Sequence, residues 1–218
     1  MEIAPGVHQI PISRVSHCFA ITEPVVTLID SGTPKQGLKI ASYLADLGLT
    51  VNDARRLVLT HHDIDHIGSA QELHRITGMD MYMHPLDVPY ALGQRPRRPL
   101  LKRLIAAYFG RGMHYGPPRP TLRLADGNVL DGVRVIHTPG HTPGHVSLLY
   151  DGVLFAGDAI ITGDTFYLSP RLLTHDPEAA KQSARKLLEY EFDTAVSGHG
   201  KPTGDAHTRL EKLVHKLG

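Results

Sequence analysis

The chain has 218 residues, a length that fits one domain able to bury a layered core. Lysine and arginine total 23 against 22 for aspartate and glutamate, which argues against the strongly basic class of general nucleic-acid binders. A single cysteine, Cys18, excludes an intramolecular disulfide framework and a cysteine-rich zinc site, and its apolar neighbours indicate a small buried side chain.

Short apolar runs and one clear helix dominate the first eighty residues. The predicted helix after the turn at 30–34 has apolar residues at helical spacing and closes at Gly48. A second helix is predicted over 66–77, ended by Gly78. The predicted strands cover 7–12, 17–22, 25–29, 57–59 and 79–83.

Residues 85–120, called the insertion below, differ in composition from the rest of the chain. Prolines and arginines surround a helical stretch over 99–109, and Asp87 is the only acidic residue. We predict a cap or lid over one end of the core; the alternative is a solvated excursion with no role in binding. Its apolar residues fit either a lid or a homodimer contact: Leu100, Leu101, Leu104, Ile105, Tyr108 and Phe109.

The second half repeats the order of strands followed by helices. Asp176 and Pro177 are typical of a helix start, and a last helix carries Leu210, Leu213 and Leu217 on one stripe. Two such halves fit two sheets packed face to face with helices outside, an α+β arrangement. The predicted strands here cover 122–124, 133–137, 146–150, 153–156 and 195–196.

Fifteen histidines are an unusual number, and histidine is the commonest protein ligand for divalent metals. The densest group is THHDIDH at residues 60–66, directly after an apolar strand. Residues two apart in an extended segment face the same side, so His61 and Asp63 can share one ion. Asp65 and His66, at the turn into a helix, can reach a second ion.

Three later segments also end apolar strands with residues able to bind metal. They are HTPGHTPGH at 137–145, FAGD at 155–158 and SGHG at 197–200. Glycines beside His141, Asp158 and His199 let the backbone approach closely, so turns can present these side chains to a shared cleft.

These motifs, in this order across nearly the whole chain, resemble those of the metallo-β-lactamase superfamily. The acidic turn LIDSG at 28–32 also matches that family. The resemblance implies a four-layer αββα sandwich with the metals at one edge of the two sheets. We therefore expect residues 1–218 to form one domain of this fold, with the insertion included.

The resemblance also implies two divalent metal ions and their ligands. The first ion is expected on His61, Asp63 and His141, the second on Asp65, His66 and His199, with Asp158 as the bridge. His145 matches a variable position and is expected to support a ligand or the structure, Asp30 is expected to orient a ligand, and His62 to point away from the metals.

Asp63 departs from the family motif, where a histidine is usual. A harder oxygen ligand shifts metal preference from zinc toward manganese or iron, and diiron relatives use a carboxylate here. Zinc is the expected metal, with manganese or iron as alternatives, and a weakened first position that leaves one tightly bound ion is also open.

The implied chemistry is hydrolysis by a metal-bridged hydroxide, with Asp65 as both ligand and proton acceptor. A compact chain with a helical insertion fits a small-molecule ester, thioester or lactone, and the basic insertion favours an anionic substrate. Tyr167 is a candidate oxyanion donor; the alternative is an aromatic residue of the core or surface.

Three other functions stay open for a fold that hosts many reactions. They are an iron-dependent oxidoreductase of the persulfide dioxygenase or diiron type, a β-lactam hydrolase, and a metal-stabilised binding module without catalysis. Nucleic acid and membranes are not expected as partners, because no added RNA-processing domain, secretory signal or apolar stretch of ~20 residues is seen. A cytoplasmic location is predicted.

Overall fold

A computed structural model describes the backbone of residues 1–12, 15–112 and 116–218, and their side chains except at 109–112. The predicted lid or homodimer contact of Phe109 therefore lies outside the described side chains. The chain forms two compact units, residues 1–123 and 124–218, and each contains its own main sheet. The prediction of one domain stays a prediction.

The first unit contains a seven-stranded sheet whose strands lie side by side in chain order. Strands β1 to β4 pair antiparallel, whereas β4 to β7 pair parallel and need helical crossovers. The strands are β1 (Glu2–Ala4), β2 (Val7–Ile10), β3 (Cys18–Ile21), β4 (Thr27–Ile29), β5 (Arg56–Val58), β6 (Asp80–Met83) and β7 (Leu122–Arg123).

Five helices lie in the crossovers of this sheet. Helix α1 joins β4 to β5, α2 and α3 join β5 to β6, and α4 and α5 lie in the insertion between β6 and β7. Their bounds are α1 (Gly37–Asp46), α2 (Ile64–Ile67), α3 (Ala70–Thr77), α4 (Val88–Ala91) and α5 (Leu100–Gly112), with a 3-10 turn at Val51–Asp53. The four-residue helix α4 was not predicted, since a single turn shows no periodicity.

A buried apolar cluster holds the first unit together. Ile40 and Leu44 on α1 pack with Leu57 on β5, Leu73 on α3 and Met81 on β6. The same cluster contains Cys18, which is fully buried, as predicted. Burial raises the pKa of the Cys18 thiol, with smaller effects from the nearby Asp30 and Asp65 carboxylates, so the side chain behaves as a small hydrophobe.

The predicted helix over 66–77 is wrong in one respect, because the structure contains two helices there. The carbonyl of His66 accepts hydrogen bonds from the backbone N–H and the hydroxyl of Ser31, at 2.7 and 2.9 Å, instead of continuing the helix. Gly68 donates its N–H to Gly32 at 2.8 Å. A Cβ atom on Gly68 would overlap the backbone of Thr33 and Pro34, so only glycine permits this close approach.

The second unit contains a five-stranded sheet in the order β14-β11-β10-β9-β8 and a separate two-stranded ribbon, β12-β13. Only β11 and β14 pair parallel in this sheet. The strands are β8 (Val129–Leu130), β9 (Val133–His137), β10 (Val146–Tyr150), β11 (Val153–Phe155), β12 (Ile160–Ile161), β13 (Tyr167–Leu168) and β14 (Thr194–Val196).

Two helices, α6 (Pro177–Leu187) and α7 (Ala206–Lys216), pack on this unit beside a 3-10 turn at Arg171–Leu173. Asp176 caps α6 as predicted, because its carboxylate accepts the N–H groups of Glu178 and Ala179. Leu187 on α6 and Leu210 on α7 belong to the buried cluster of this unit. No described helix in either unit has the length and hydropathy of a membrane span.

Replacing Gly68 with alanine should destabilise the protein by about 1–3 kcal/mol, because the added methyl group forces the 32–36 loop away from the start of α3. Urea unfolding measures the change. Gly204→Ala is the control, since nothing lies within 4 Å of a Cβ atom there. Equal unfolding midpoints for the two variants would contradict the proposed close packing.

Candidate metal centre

Four predicted ligands lie on residues 61–66 of the first unit, called the metal-binding segment below, which cover the loop after β5 and part of α2. Asp63 has an extended backbone at the N-cap position of α2, where its side chain makes no capping hydrogen bond, while Asp65 and His66 lie in that helix. The His61 Nε2 atom is 3.6 Å from Asp63 Oδ2, and His66 Nε2 is 3.8 Å from Asp65 Oδ2. Two ligand atoms on one tetrahedral zinc ion lie roughly 3.4 Å apart. Each pair is therefore close enough to share an ion.

Asp30 organises the two histidines of this segment. Parallel pairing of β4 with β5 brings the ends of both strands to one edge of the sheet, so Asp30 meets Thr60. The Asp30 carboxylate accepts the Thr60 N–H at 2.8 Å and the Thr60 hydroxyl at 2.7 Å. His66 Nδ1 lies 2.7 Å from the same carboxylate. Asp30 is 2 % exposed, so these contacts satisfy a buried charge.

These hydrogen bonds determine which ring nitrogens carry protons. His66 Nδ1 donates to Asp30, which leaves Nε2 with its lone pair in the neutral ring. The Thr60 hydroxyl donates its hydrogen bond to Asp30, so its oxygen accepts from His61 Nδ1 at 3.0 Å. In its neutral form each imidazole would therefore present Nε2 as the metal-binding atom.

The second unit brings three further predicted ligands together. His141 follows β9, Asp158 follows β11 and His199 follows β14. The Nε2 atoms of His141 and His199 lie 3.5 and 3.3 Å from the same oxygen, Asp158 Oδ2. Both separations suit two ligands of one ion, so Asp158 is close enough to share an ion with either histidine, and its bridging role stays a prediction.

His145 is fully buried and supports the Asp158 loop. Its Nε2 accepts the backbone N–H of Asp158 at 2.9 Å, so the ring proton lies on Nδ1 and is donated to Thr138 Oγ1, also at 2.9 Å. Thr138 in turn contacts Ser147 at 3.0 Å. Both ring nitrogens are engaged within the unit, which places His145 outside the ligand set.

The insertion contacts the metal-binding segment through residues to which the sequence assigned no role. The His62 ring is 1 % exposed, stacks on Tyr90 with centroids 4.7 Å apart, and has Nδ1 2.9 Å from the Asp87 carboxylate. The same carboxylate accepts the His62 N–H, and Arg97 donates to the His62 carbonyl. Asp87 is the only acidic residue of a basic segment, a signal that could have revealed this contact.

Lys102 is one of the positive charges of the basic insertion, and no further role was predicted for it. Instead it is 3 % exposed, and its Nζ lies 2.7 Å from Asp63 Oδ2. Tyr167, the oxyanion candidate, lies on β13 opposite Ile161 and is 60 % exposed. Its role in catalysis stays a prediction.

The sequence profile of the metallo-beta-lactamase superfamily matches residues 14–199. The chain belongs to this superfamily. It is 30% identical to the probable metallo-hydrolase YflN of Bacillus subtilis (strain 168), over 99% of this chain and 92% of that protein. The resemblance and the enzyme class inferred from the motifs are thereby confirmed: the protein is a metallo-hydrolase of the metallo-β-lactamase superfamily.

Solved structures confirm the fold class. TTHA1623, in a di-iron-bound form, has a TM-score of 0.72 and 27% identity, with 90% of this chain and 92% of that chain covered. BJP-1, a subclass B3 metallo-β-lactamase of Bradyrhizobium japonicum, has a TM-score of 0.72 and 18% identity over 100% of this chain and 91% of its own. The second likeness shows the α+β metallo-β-lactamase fold alone.

The residues present fit the divalent metals that this superfamily implies. Imidazole nitrogens and carboxylate oxygens suit zinc, manganese and iron, and the hydrogen bonds to Nδ1 of His61 and His66 leave Nε2 as the ligand atom. The four nitrogen–oxygen separations within the units span 3.3 to 3.8 Å, as two ligands of one ion require.

Asp30→Asn should lower zinc affinity by about 10–100-fold while the protein stays folded. The amide keeps the shape, but its NH₂ group faces His66 Nδ1 and drives the ring proton to Nε2, the ligand atom. Competition with a chromophoric chelator measures the affinity. Asp46→Asn, at the exposed end of α1, is the matched control. Equal affinities in the two variants would refute the orienting role of Asp30.

Proposed function

We propose that the ligands of the two units bind two divalent metal ions as one hydrolytic centre, with zinc as the metal. His61, Asp63 and His141 hold the first ion, Asp65, His66 and His199 hold the second, and Asp158 bridges them. The observation that carries the proposal is Asp158 Oδ2, which lies within 3.5 Å of the Nε2 atoms of both His141 and His199. The orientation of His61 and His66 by Thr60 and Asp30 supports it.

The bound metal pair would supply a hydroxide nucleophile at neutral pH and polarise the bond under attack. The protein's part is to hold ligands and to accept a proton. The side chains of Asp63 and Asp65 are 14 and 18 % exposed, whereas His61 and His66 are fully buried. The carboxylates are thus the accessible part of this segment, and we assign to Asp65 the role of accepting the proton that the attacking water would release.

The substrate we propose is a small anionic ester, thioester or lactone. The insertion contacts the metal-binding segment directly through Asp87, Tyr90 and Lys102. It also carries exposed cations at Arg95 and Arg98, which raise the local concentration of an anionic molecule. The hydrolysed group would then be recognised at the metals, and the anionic group by the insertion.

An iron-dependent oxidoreductase is the second candidate, and two observations favour it. Asp63 supplies a hard oxygen donor where the motif usually has histidine, and the related TTHA1623 has been solved in a di-iron-bound form. A β-lactam substrate is supported by likeness of fold, as with BJP-1, and by no feature of the site. The cytoplasmic location, the homodimer and the exclusion of nucleic acid and membranes stay predictions.

A hydrolysis screen separates these functions. Zinc, manganese and iron forms of the protein are assayed on thioester, lactone and β-lactam panels, and we expect ester-class turnover that chelation abolishes and zinc restores. Activity that persists after complete metal removal would refute the proposal. Stoichiometric iron with oxygen consumption and no hydrolysis would favour the oxidoreductase.

Asp65→Ala and His141→Ala should each lose bound metal and lower turnover by on the order of 10³-fold or more, because each removes a ligand. Metal content by plasma mass spectrometry and initial rates are measured on the same samples. His215→Ala, an exposed histidine on α7, is the control and should keep both. Full turnover in either ligand variant would contradict the assignment.

A further inference from the structure

Lys102 places a buried positive charge directly on a proposed metal ligand. Its Nζ lies 2.7 Å from Asp63 Oδ2, and the lysine is 3 % exposed. The same Oδ2 atom lies 3.6 Å from His61 Nε2. An ion held between His61 and Asp63 would therefore share one oxygen with the ammonium group.

Contacts with His62 hold the insertion, and with it Lys102, beside the metal-binding segment. Asp87 accepts the backbone N–H of His62 at 2.9 Å and lies equally close to its ring. Tyr90 stacks on the same ring at 13° between planes, and Arg97 donates to the carbonyl of His62. These contacts attach the insertion to the residue next to Asp63, so the ammonium is held at the carboxylate by the fold.

A cation in this place opposes a second cation at the same oxygen. Two positive charges a few ångströms apart repel, and the effect is strong where water is excluded. The carboxylate also attracts a metal cation less strongly, because Lys102 already compensates its negative charge. Both effects lower metal affinity at the His61 and Asp63 position, here called the first position.

We propose that Lys102 is a positioning residue that holds Asp63 and weakens the first metal position, so that the other position fills first. The inference rests on the proposed two-metal centre. It also explains Asp63: a carboxylate forms an ion pair with Lys102, whereas the usual histidine would leave a buried ammonium without a counter-charge. Asp63 and Lys102 thus form a matched pair.

Zinc titration of the purified protein tests this. Stepwise zinc dissociation constants are measured by competition with chromophoric chelators in wild type, Lys102→Gln and Lys102→Met. We expect the weaker constant to tighten at least tenfold in both variants and the tighter constant to stay unchanged. A weaker constant that stays the same or rises in these variants would overturn the proposal.

Two controls identify the charge as the cause. Lys102→Arg keeps the positive charge and should keep two unequal constants, and Arg103→Gln removes a neighbouring exposed cation on α5 and should change neither. A tightening in Arg103→Gln equal to that in Lys102→Gln would also overturn the proposal, because it would show a general charge effect.

A second pair of variants keeps the test decisive if Lys102→Gln does not fold. Asp63→His with Lys102 present should bind its weaker zinc ion at least tenfold less tightly than Asp63→His combined with Lys102→Met. Equal constants would refute the role of Lys102. Wild type that binds fewer than two zinc ions would refute the proposed centre itself, whereas two ions with no effect of Lys102 would refute this inference alone.

Discussion

The metal-binding segment depends on one buried carboxylate, that of Asp30. It follows β4, and parallel pairing of β4 with β5 brings it against Thr60, where it accepts three hydrogen bonds from Thr60 and His66. A buried charge with these partners holds the loop after β5 in one conformation. It also favours the proton on Nδ1 in both His66 and His61. His66 bonds to Asp30 directly, and His61 bonds to the Thr60 hydroxyl, which Asp30 orients.

The second unit uses a related constraint with another residue type. His145 orients the ligand loop by accepting the Asp158 backbone N–H, and Thr138 holds the ring in the required tautomer. In both units a residue outside the predicted ligand set holds a predicted ligand by a hydrogen bond. Such supporting contacts matter to a metal site as well as the ligands do, since a misplaced ligand binds the metal less tightly.

The insertion of this protein contacts two positions of the metal-binding motif. Asp87 contacts His62, and Lys102 contacts Asp63, two adjacent positions of the motif. The Asp87 carboxylate accepts the backbone N–H of His62 and lies against its ring, whereas the Lys102 ammonium forms an ion pair with Asp63. The unusual carboxylate at residue 63 is therefore understood together with a lysine 39 positions later in the chain. The departure from the motif, Asp63, and the insertion, through Lys102, together form one ion pair.

The sequence by itself determined the class of fold, the enzyme family and the residues able to bind metal. Polar residues directly after short apolar strands are local patterns that identify candidate ligands. The order of the motifs along the chain indicates the enzyme family and its fold. Most strands and helices were also predicted, and most of their ends lie within two residues of the observed ones; the end of α5 and the start of α3 differ by three and four residues.

Only the tertiary structure decided the break of the helix at Gly68, the tautomers of His61 and His66, and the places of Asp87 and Lys102. Each depends on a partner roughly 25 to 40 residues away in the chain or on a close backbone approach. Propensity and periodicity contain no information on such contacts, because packing between distant segments sets them.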